Sequence, residues 1–444
     1  MFLGVLMDES DDGDELDEVR RIRQIAMMKR ETRRLRNSVS FRLGLHLTNA
    51  VRKPWKLLIL PLSFPILCLQ LGLERLGRKA SPKSGHHDER DIEPRKNSIV
   101  LFPTNGVGFG HFTRMYAIAR ELIKKDPEIE IIFFTTMPTL HIPYAENFAT
   151  YHLAGRHKYK DMSSSTWNMI VEEMLTLVLE IHNPKWFMYD GAFPYRGMLN
   201  AIYGRDEINR IWMRRGMFRK GSSIPIDSIE HFDLIIHPDD AYPIEKSEVE
   251  YDVKTLIIPP ITLLQYLEIL SRDDSRGRLN LPLDSRVVYV QLGAGQINDI
   301  ESEIRWVLDA LLSFDDVHVV LGESMLGERM NITMERLHVL RDYPNSLFFN
   351  AFDFSVQAGG YNSFHEMRNI GMPTLFFPNM ETGMDDQLAR CNVAVEEGWG
   401  IVLEKRTSEE IKTTIPKLFS LQRSSPLDCD SGSVKVAEFI IQDM

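Results

Sequence analysis

Residues 358–379 read AGGYNSFHEMRNIGMPTLFFPN. Gly359 and Gly360 lead into a helix that breaks at Gly371-Met372-Pro373, and an apolar run then stops at Pro378. A glycine turn feeding a helix, followed by a buried strand, is the grammar of an α/β sheet domain. The start of such a helix offers unpaired N–H groups and the positive end of the helix dipole, a setting suited to a pyrophosphate. Asn362 and Ser363 lie in the opening turn, and Glu366 follows about one turn later, where a carboxylate suits the paired hydroxyls of a ribose. The next segment, ETGMDDQLAR (381–390), starts another helix with Asp386 and Gln387, acceptor-rich side chains that suit the hydroxyls of a hexose. A plain helix cap followed by an acidic first turn is the competing reading of these residues.

The pattern extends in both directions. Upstream, SRVVYVQLGAG (285–295) is a strand ending in a second glycine turn, with Gly293 and Gly295, and DIESEIRWVLDALLSF (299–314) is a helix. VHVVLGES, SLFFNAF, SVQAGG and PTLFFPN read as further short strands. An earlier stretch repeats the arrangement. SIVLFPT is a buried strand, HFTRMYAIARELIKK an amphipathic helix and IEIIFFTT a second strand. WNMIVEEMLTLVLEIH and GMLNAIYG read as helices, with KWFMYDG, RIWMRRG, FDLIIHP and VKTLIIPP as strands. The chain is thus expected to be α/β, with two Rossmann-like, doubly wound parallel-sheet domains. They span 98–262 and 284–444, joined by a linker at 263–283 that has its own helix.

The loop FPTNGVGFGHFTR (102–114) opens the first domain, with Gly106, Gly108 and Gly110 between strand and helix. Glycine there allows a tight turn and close ligand approach. The spacing is not the dinucleotide G-x-G-x-x-G, and no acidic residue ends the second strand, which disfavours a nicotinamide dehydrogenase. His111 follows at the mouth of the sheet, where a histidine takes a proton from a sugar hydroxyl near neutral pH. An N-capping or core histidine is the equal alternative. In DGAFPYRG (190–197), Asp190, Tyr195 and Arg196 follow a strand end and stand as cleft-lining candidates, against a satisfied Asp and a packed Tyr.

Bulk properties bound the rest. The chain has 444 residues, 43% hydrophobic and 26% charged, values of a globular protein with room for two domains. A net charge of −11 argues against a nucleic-acid binder. Three cysteines, Cys68, Cys391 and Cys429, form no CxxC and no metal or disulfide framework, which suits a reducing compartment. The N-terminus lacks a basic n-region and a long apolar h-region, so it does not read as a secretory signal. Residues 8–18 are an acidic run expected to be disordered, and Asp12-Gly-Asp14 within it reads as solvated charge rather than a metal motif.

Residues 1–97 precede the first domain. Between 20 and 56, 12 basic side chains face one acid, Glu31. Leu57–Leu73 then carries no charge over 17 residues but is interrupted by Pro61 and Pro65. A span needs about 20 apolar residues. The segment therefore reads as an in-plane anchor on an anionic membrane surface, with a helical arm packed on the protein's own surface as the alternative.

A glycine loop with histidine in the first domain, then a helix start with Glu and an Asp-Gln pair in the second, resembles the GT-B glycosyltransferases. The nearest likeness is to the group containing the bacterial N-acetylglucosaminyltransferase of lipid-linked peptidoglycan precursor. The resemblance covers about 98–430 and is strongest over 352–400. It implies two domains facing across a cleft, an acceptor bound by the first and a nucleotide sugar by the second, inversion, and no essential metal or other cofactor. His111 then matches the base, Asn362, Ser363 and Glu366 the nucleotide helix, and Asp386 and Gln387 the sugar pair. The implied partners are a nucleotide-sugar donor, with uridine diphosphate expected, and a lipid-linked or glycan acceptor. The implied place is the cytoplasmic face of the cell membrane, peripherally attached. The first loop is looser in glycine than the family's. A nucleotide-sugar 2-epimerase of the same fold and a non-catalytic, membrane-recruited subunit are the competing functions.

Overall fold

Strand β1 (Arg95–Pro103) explains the architecture of the first domain. Ile99 and Leu101 enter one core, while Val100 and Phe102 enter another on the opposite face, and all four are fully buried. Side chains alternate along a strand, so an unbroken apolar run demands cover on both faces, the signature of a parallel sheet. The computed structural model describes residues 32, 35–36, 38–75, 95–104, 108–214, 226–243, 253–293, 300–326, 329–380, 385–427 and 430–442. Gly106, Gly295, Cys429 and the acidic run lie outside these residues.

The first sheet has seven parallel strands. After β1 come β2 (Glu130–Thr135), β3 (Ala149–His152), β4 (Pro184–Asp190), β5 (Asn209–Met213), β6 (Leu234–Pro238) and β7 (Lys254–Ile258). Their order is β3-β2-β1-β4-β5-β6-β7. The register sets Leu101 of β1 against Phe133 of β2 and Met188 of β4. The second sheet has six, β8 (Arg286–Gln291), β9 (Val317–Gly322), β10 (Leu337–Leu340), β11 (Phe354–Gln357), β12 (Thr374–Phe376) and β13 (Gly400–Val402). Its order is β10-β9-β8-β11-β12-β13. Here too Val288 and Val290 face one core, and Val287 and Tyr289 the other. The two Rossmann-like domains expected from the sequence are present.

In each sheet the strand order reverses once, at β1/β4 and at β8/β11. Loops leaving the carboxyl ends of two such strands diverge to opposite faces and open a crevice. Gly108 and Gly110 follow β1, Gly293 follows β8, Gly359 and Gly360 follow β11, and Asp190 ends β4, so topology gathers these residues at two crevices.

Two readings are corrected. SLFFNAF forms a 3₁₀ helix, Asn345–Ala351, instead of a strand. Ser346, Phe348, Phe349 and Ala351 are buried, and an apolar run this short does not distinguish strand from helix by periodicity. The second domain also does not keep the chain to 444. Helix Gly432–Gln442 returns to the first domain, where Val436, Ala437 and Ile440 are fully buried in its core. A Cβ on Gly432 would lie 2.0 Å from the Pro259 carbonyl oxygen, so only glycine permits that return.

The segment before residue 91 is a unit of its own. Helices Val39–Arg52 and Leu60–Arg75 pair through Arg42 and Glu74, whose closest atoms are 2.5 Å apart, and through His46 Nε2 and Ser63 Oγ at 3.0 Å. Pro65 lies inside the second helix. Trp55, Leu57, Leu58, Leu62, Ile66 and Leu69 are exposed. Among the described residues, no helix is long and apolar enough to cross a membrane.

Candidate functional site

The helix after β1, α1 (Gly110–Lys125), places His111 in its first turn. Residue 114 lies three positions on, on the same face, and turns an arginine inward among Phe112, Met115 and Ile118. Arg114 is 1% exposed, as is Asp190 at the end of β4. Such burial of charge is tolerated only with close partners. Asp190 supplies them: Arg114 Nε donates to Oδ2 at 2.9 Å and Nη2 to Oδ1 at 2.8 Å. Asp190 Oδ1 also meets His111 Nδ1 at 2.7 Å. Arg114 Nη2 lies 2.8 Å from the same Nδ1, and the carboxylate, the stronger acceptor, draws the protons of both. Burial works to raise the Asp190 carboxyl, but Arg114 and His111 outweigh it and hold the group below the usual carboxylate range.

An ionised Asp190 accepts from His111 Nδ1–H, so the imidazole's lone pair sits on Nε2. The His111 side chain is 27% exposed. This is an imidazole oriented by a carboxylate and open to solvent, an arrangement that suits general-base chemistry. The sequence flagged Asp190 and His111 separately, and the structure joins them. Arg114 went unflagged. Its signal was a charge on the apolar face of an otherwise regular amphipathic helix.

In the second domain, helix α2 (Tyr361–Asn369) starts at Gly360, and α3 (Gln387–Glu396) at Asp386. Gly359 has φ +77°, and a Cβ there would lie 2.4 Å from Cys391 Sγ, so both backbone and packing require glycine. Gly293 after β8 has φ +103°, and open space lies beside both Gly293 and Gly360. At the α2 start, Gly360 thus has room beside its Cα for a side chain or a ligand atom.

Asn362 has partners in the other domain. Its Oδ1 accepts from Arg114 Nη1 at 3.3 Å, and its Nδ2 donates to the Gly110 carbonyl at 3.2 Å. Two guanidinium groups approach the Tyr361 ring, Arg114 at 5.9 Å and Arg390 at 5.3 Å from its centre, and its hydroxyl donates to the Asp239 carbonyl at 2.6 Å. Arg390 grips Asp240 of the first domain at 2.8 and 2.6 Å, and also binds Asp385 at 2.5 Å and the Gly359 carbonyl at 3.1 Å. His365, to which the sequence assigned no role, approaches Asp240 at 3.3 Å. Asp240 and Arg390 are further site neighbours that sequence reading missed.

The other candidates differ in their surroundings. Ser363 is half-buried in the first turn of α2. Glu366 is half-buried, not exposed, and lines a small pocket with Thr262, Gln265, Ser346 and Phe349. Burial pushes its carboxyl up to about 7. Asp386 caps α3, accepting from Ala389 N–H at 3.0 Å, and Gln387 Oε1 accepts from Asn379 N–H at 2.9 Å. Each thus has a backbone partner as well as any ligand. Gly108 and Gly110 flank Phe109 before His111, and Phe109 stacks on Tyr343 of the second domain at 5.1 Å. Arg196 is exposed at a helix start, while Tyr195 packs on Trp167 at 4.9 Å.

No protein-family model matches this chain, and no curated protein does. Solved structures do. The glycotransferase of kitacinnamycin superposes with a TM-score of 0.54 at 14% identity, covering 79% of this chain and 100% of its own. The calicheamicin glycosyltransferase CalG4 gives 0.51 at 15% identity, covering 79% and 94%. MurG of Acinetobacter baumannii gives 0.50 at 13% identity, covering 79% and 100%. At such identities the likeness is one of fold.

Proposed function

This chain has the GT-B fold, and we propose that it is a glycosyltransferase moving a hexose from a nucleotide sugar to a lipid-linked or membrane-bound glycan. The carrying observation is the buried Arg114–Asp190–His111 cluster, hydrogen-bonded through Asn362 to the first turn of α2. It sets an oriented base beside a helix start that suits a diphosphate.

The reaction runs as an in-line displacement. His111 Nε2 takes the proton of the acceptor hydroxyl as that oxygen attacks the anomeric carbon. The bond to the diphosphate oxygen breaks on the opposite face, inverting the centre. The leaving charge falls on the N–H groups at Gly360–Ser363 and on the turn at Gly293, donors that need no reorganisation. Glu366 receives the ribose hydroxyls, and Asp386 and Gln387 the hexose. Uridine diphosphate is the expected leaving group, and no metal is called for. Asp190 and Arg196 lie on the acceptor side. The solved structures named as glycosyltransferases support the class of reaction.

The arm places this chemistry at a membrane. Its basic side chains attract anionic lipid, each contributing about 1 kcal/mol near such a surface, and its exposed apolar residues enter the interface in plane, at the cytoplasmic face. The test is the full chain incubated with radiolabelled nucleotide sugars and a lipid extract. Label moving to lipid is the expected result. An isomerised nucleotide sugar would make it an epimerase, and neither product would make it a binding subunit.

A further inference from the structure

Arg114 does more than neutralise Asp190. Its three guanidinium nitrogens divide between two domains: Nε and Nη2 hold the two oxygens of Asp190, and Nη1 reaches Asn362. The guanidinium is planar and rigid, so fixing two nitrogens on Asp190 fixes the direction of the third. The Asp190 oxygen that Nη2 holds is also the one that meets His111 Nδ1. Asn362 is locked in turn, because its amide nitrogen binds the Gly110 carbonyl, one residue before His111. The bonds therefore close a loop from His111 through Asp190, Arg114, Asn362 and Gly110 back to His111.

We infer that Arg114 is a positioning residue that couples the base to the donor domain, with Asn362 as its contact there. A rigid loop transmits displacement. A diphosphate seated at the α2 start acts on the turn that carries Asn362, and the movement reaches the His111 imidazole through Arg114. The base would then be held in attacking position by the donor-bound arrangement of α2. This rests on the proposed transfer reaction, and the Arg114→Lys resonance is the part of its test that does not.

The test uses the full chain and two variants. The first readout needs no turnover: the downfield proton resonance of the His111 Nδ1–H···Asp190 bond, assigned by its loss in His111→Ala. Arg114→Lys keeps a positive charge but cannot hold both oxygens in one plane, so the resonance should move or vanish. Asn362→Ala breaks only the bridge, so the resonance should remain. Uridine diphosphate should shift it in the wild type and no longer shift it in Asn362→Ala. The second readout is kinetic. Asn362→Ala should lower kcat roughly tenfold, and Arg114→Lys about a hundredfold, the scale of a misplaced reacting group. The calorimetric affinity for uridine diphosphate should change less than about threefold in Arg114→Lys.

An Arg114→Lys protein that keeps both resonance and kcat overturns the inference. So does an Asn362→Ala protein in which uridine diphosphate still shifts the resonance as in the wild type. If Arg114→Lys fails to fold, Asn362→Ala decides alone. If no nucleotide sugar is turned over, the resonance of Arg114→Lys still tests the coupling within the resting protein, so the two failures are separable.

Discussion

Replacing Asp190 by Asn removes a charge while keeping the shape, and the hydrogen-bond geometry determines the effect. Asp190 accepts three bonds, from His111 Nδ1 at 2.7 Å, Arg114 Nη2 at 2.8 Å and Arg114 Nε at 2.9 Å. A carboxamide has one acceptor oxygen and one donor nitrogen. With its oxygen where Oδ1 lies, its NH₂ group faces the Arg114 Nε–H, donor against donor. Flipped, its NH₂ group faces His111 Nδ1, which must then accept, and the imidazole proton moves to Nε2. The first arrangement strains the cluster, and the second abolishes the base. Both leave a buried guanidinium without its countercharge, a loss of about 3–5 kcal/mol of stability.

Turnover should fall by about 10²–10⁴-fold, the range for losing a positioned base. The affinity for uridine diphosphate should hold. Adding Arg114→Met removes the orphaned charge and should restore much of the melting temperature without restoring turnover, because packed apolar residues replace a buried ion pair at little cost. Asp190 itself does not titrate near neutrality. Its folded value is depressed, so the stability it provides is present above the unfolded carboxylate value and is lost only as pH falls through the lower folded one. Single-turnover kinetics, calorimetry and thermal melting on wild type, single and double variants decide the matter. An Asp190→Asn protein with turnover within about threefold of wild type would refute His111 as an Asp-oriented base.

Three further outcomes concern other parts of the molecule. Burial raises Glu366 from 4.5 to about 7, so the folded state holds its proton more tightly than the unfolded chain does, and stability falls as pH climbs through that window. A ribose pair is received by the carboxylate, so uridine diphosphate affinity should rise with pH. It should lie about tenfold below its plateau one unit beneath the folded value, and calorimetry on Glu366→Gln should show that slope gone. Ile440→Ala empties a site in the first-domain core that the C-terminal helix fills. It should cost about 2–5 kcal/mol and raise hydrogen exchange in α1, and unchanged exchange would remove that helix from the first domain's stability. Deleting residues 20–77 should abolish sedimentation with anionic liposomes, and equal pelleting with and without them would dismiss the arm as an anchor.

The sequence by itself determined the features with a local cause. Apolar runs such as SIVLF and RVVYV need cover on both faces, which makes the sheets parallel. Gly359 is dictated by its own positive φ, a local demand, to which the tertiary packing of Cys391 adds a second. The α2 start, with Gly360 ahead of Asn362, is legible because capping and turn chemistry act within a few residues. The run SLFFNAF was misread because seven apolar-rich residues satisfy either period, and the long-range packing of Phe348 and Phe349 decides it. The candidate site divides in the same way. His111 and Asp190 were visible as residue types, but they stand 79 positions apart, and Arg114 stands 248 from Asn362. Only the reversal of strand order between β1 and β4 brings the first pair together. Only the docking of one domain on the other aims Arg114 at Asn362 and Arg390 at Asp240. A local pattern records which side chains fit a helix or strand. It carries no record of which buried charge will neutralise another, because that choice is made by Coulomb energy at distances of a few ångströms, which only the tertiary structure sets.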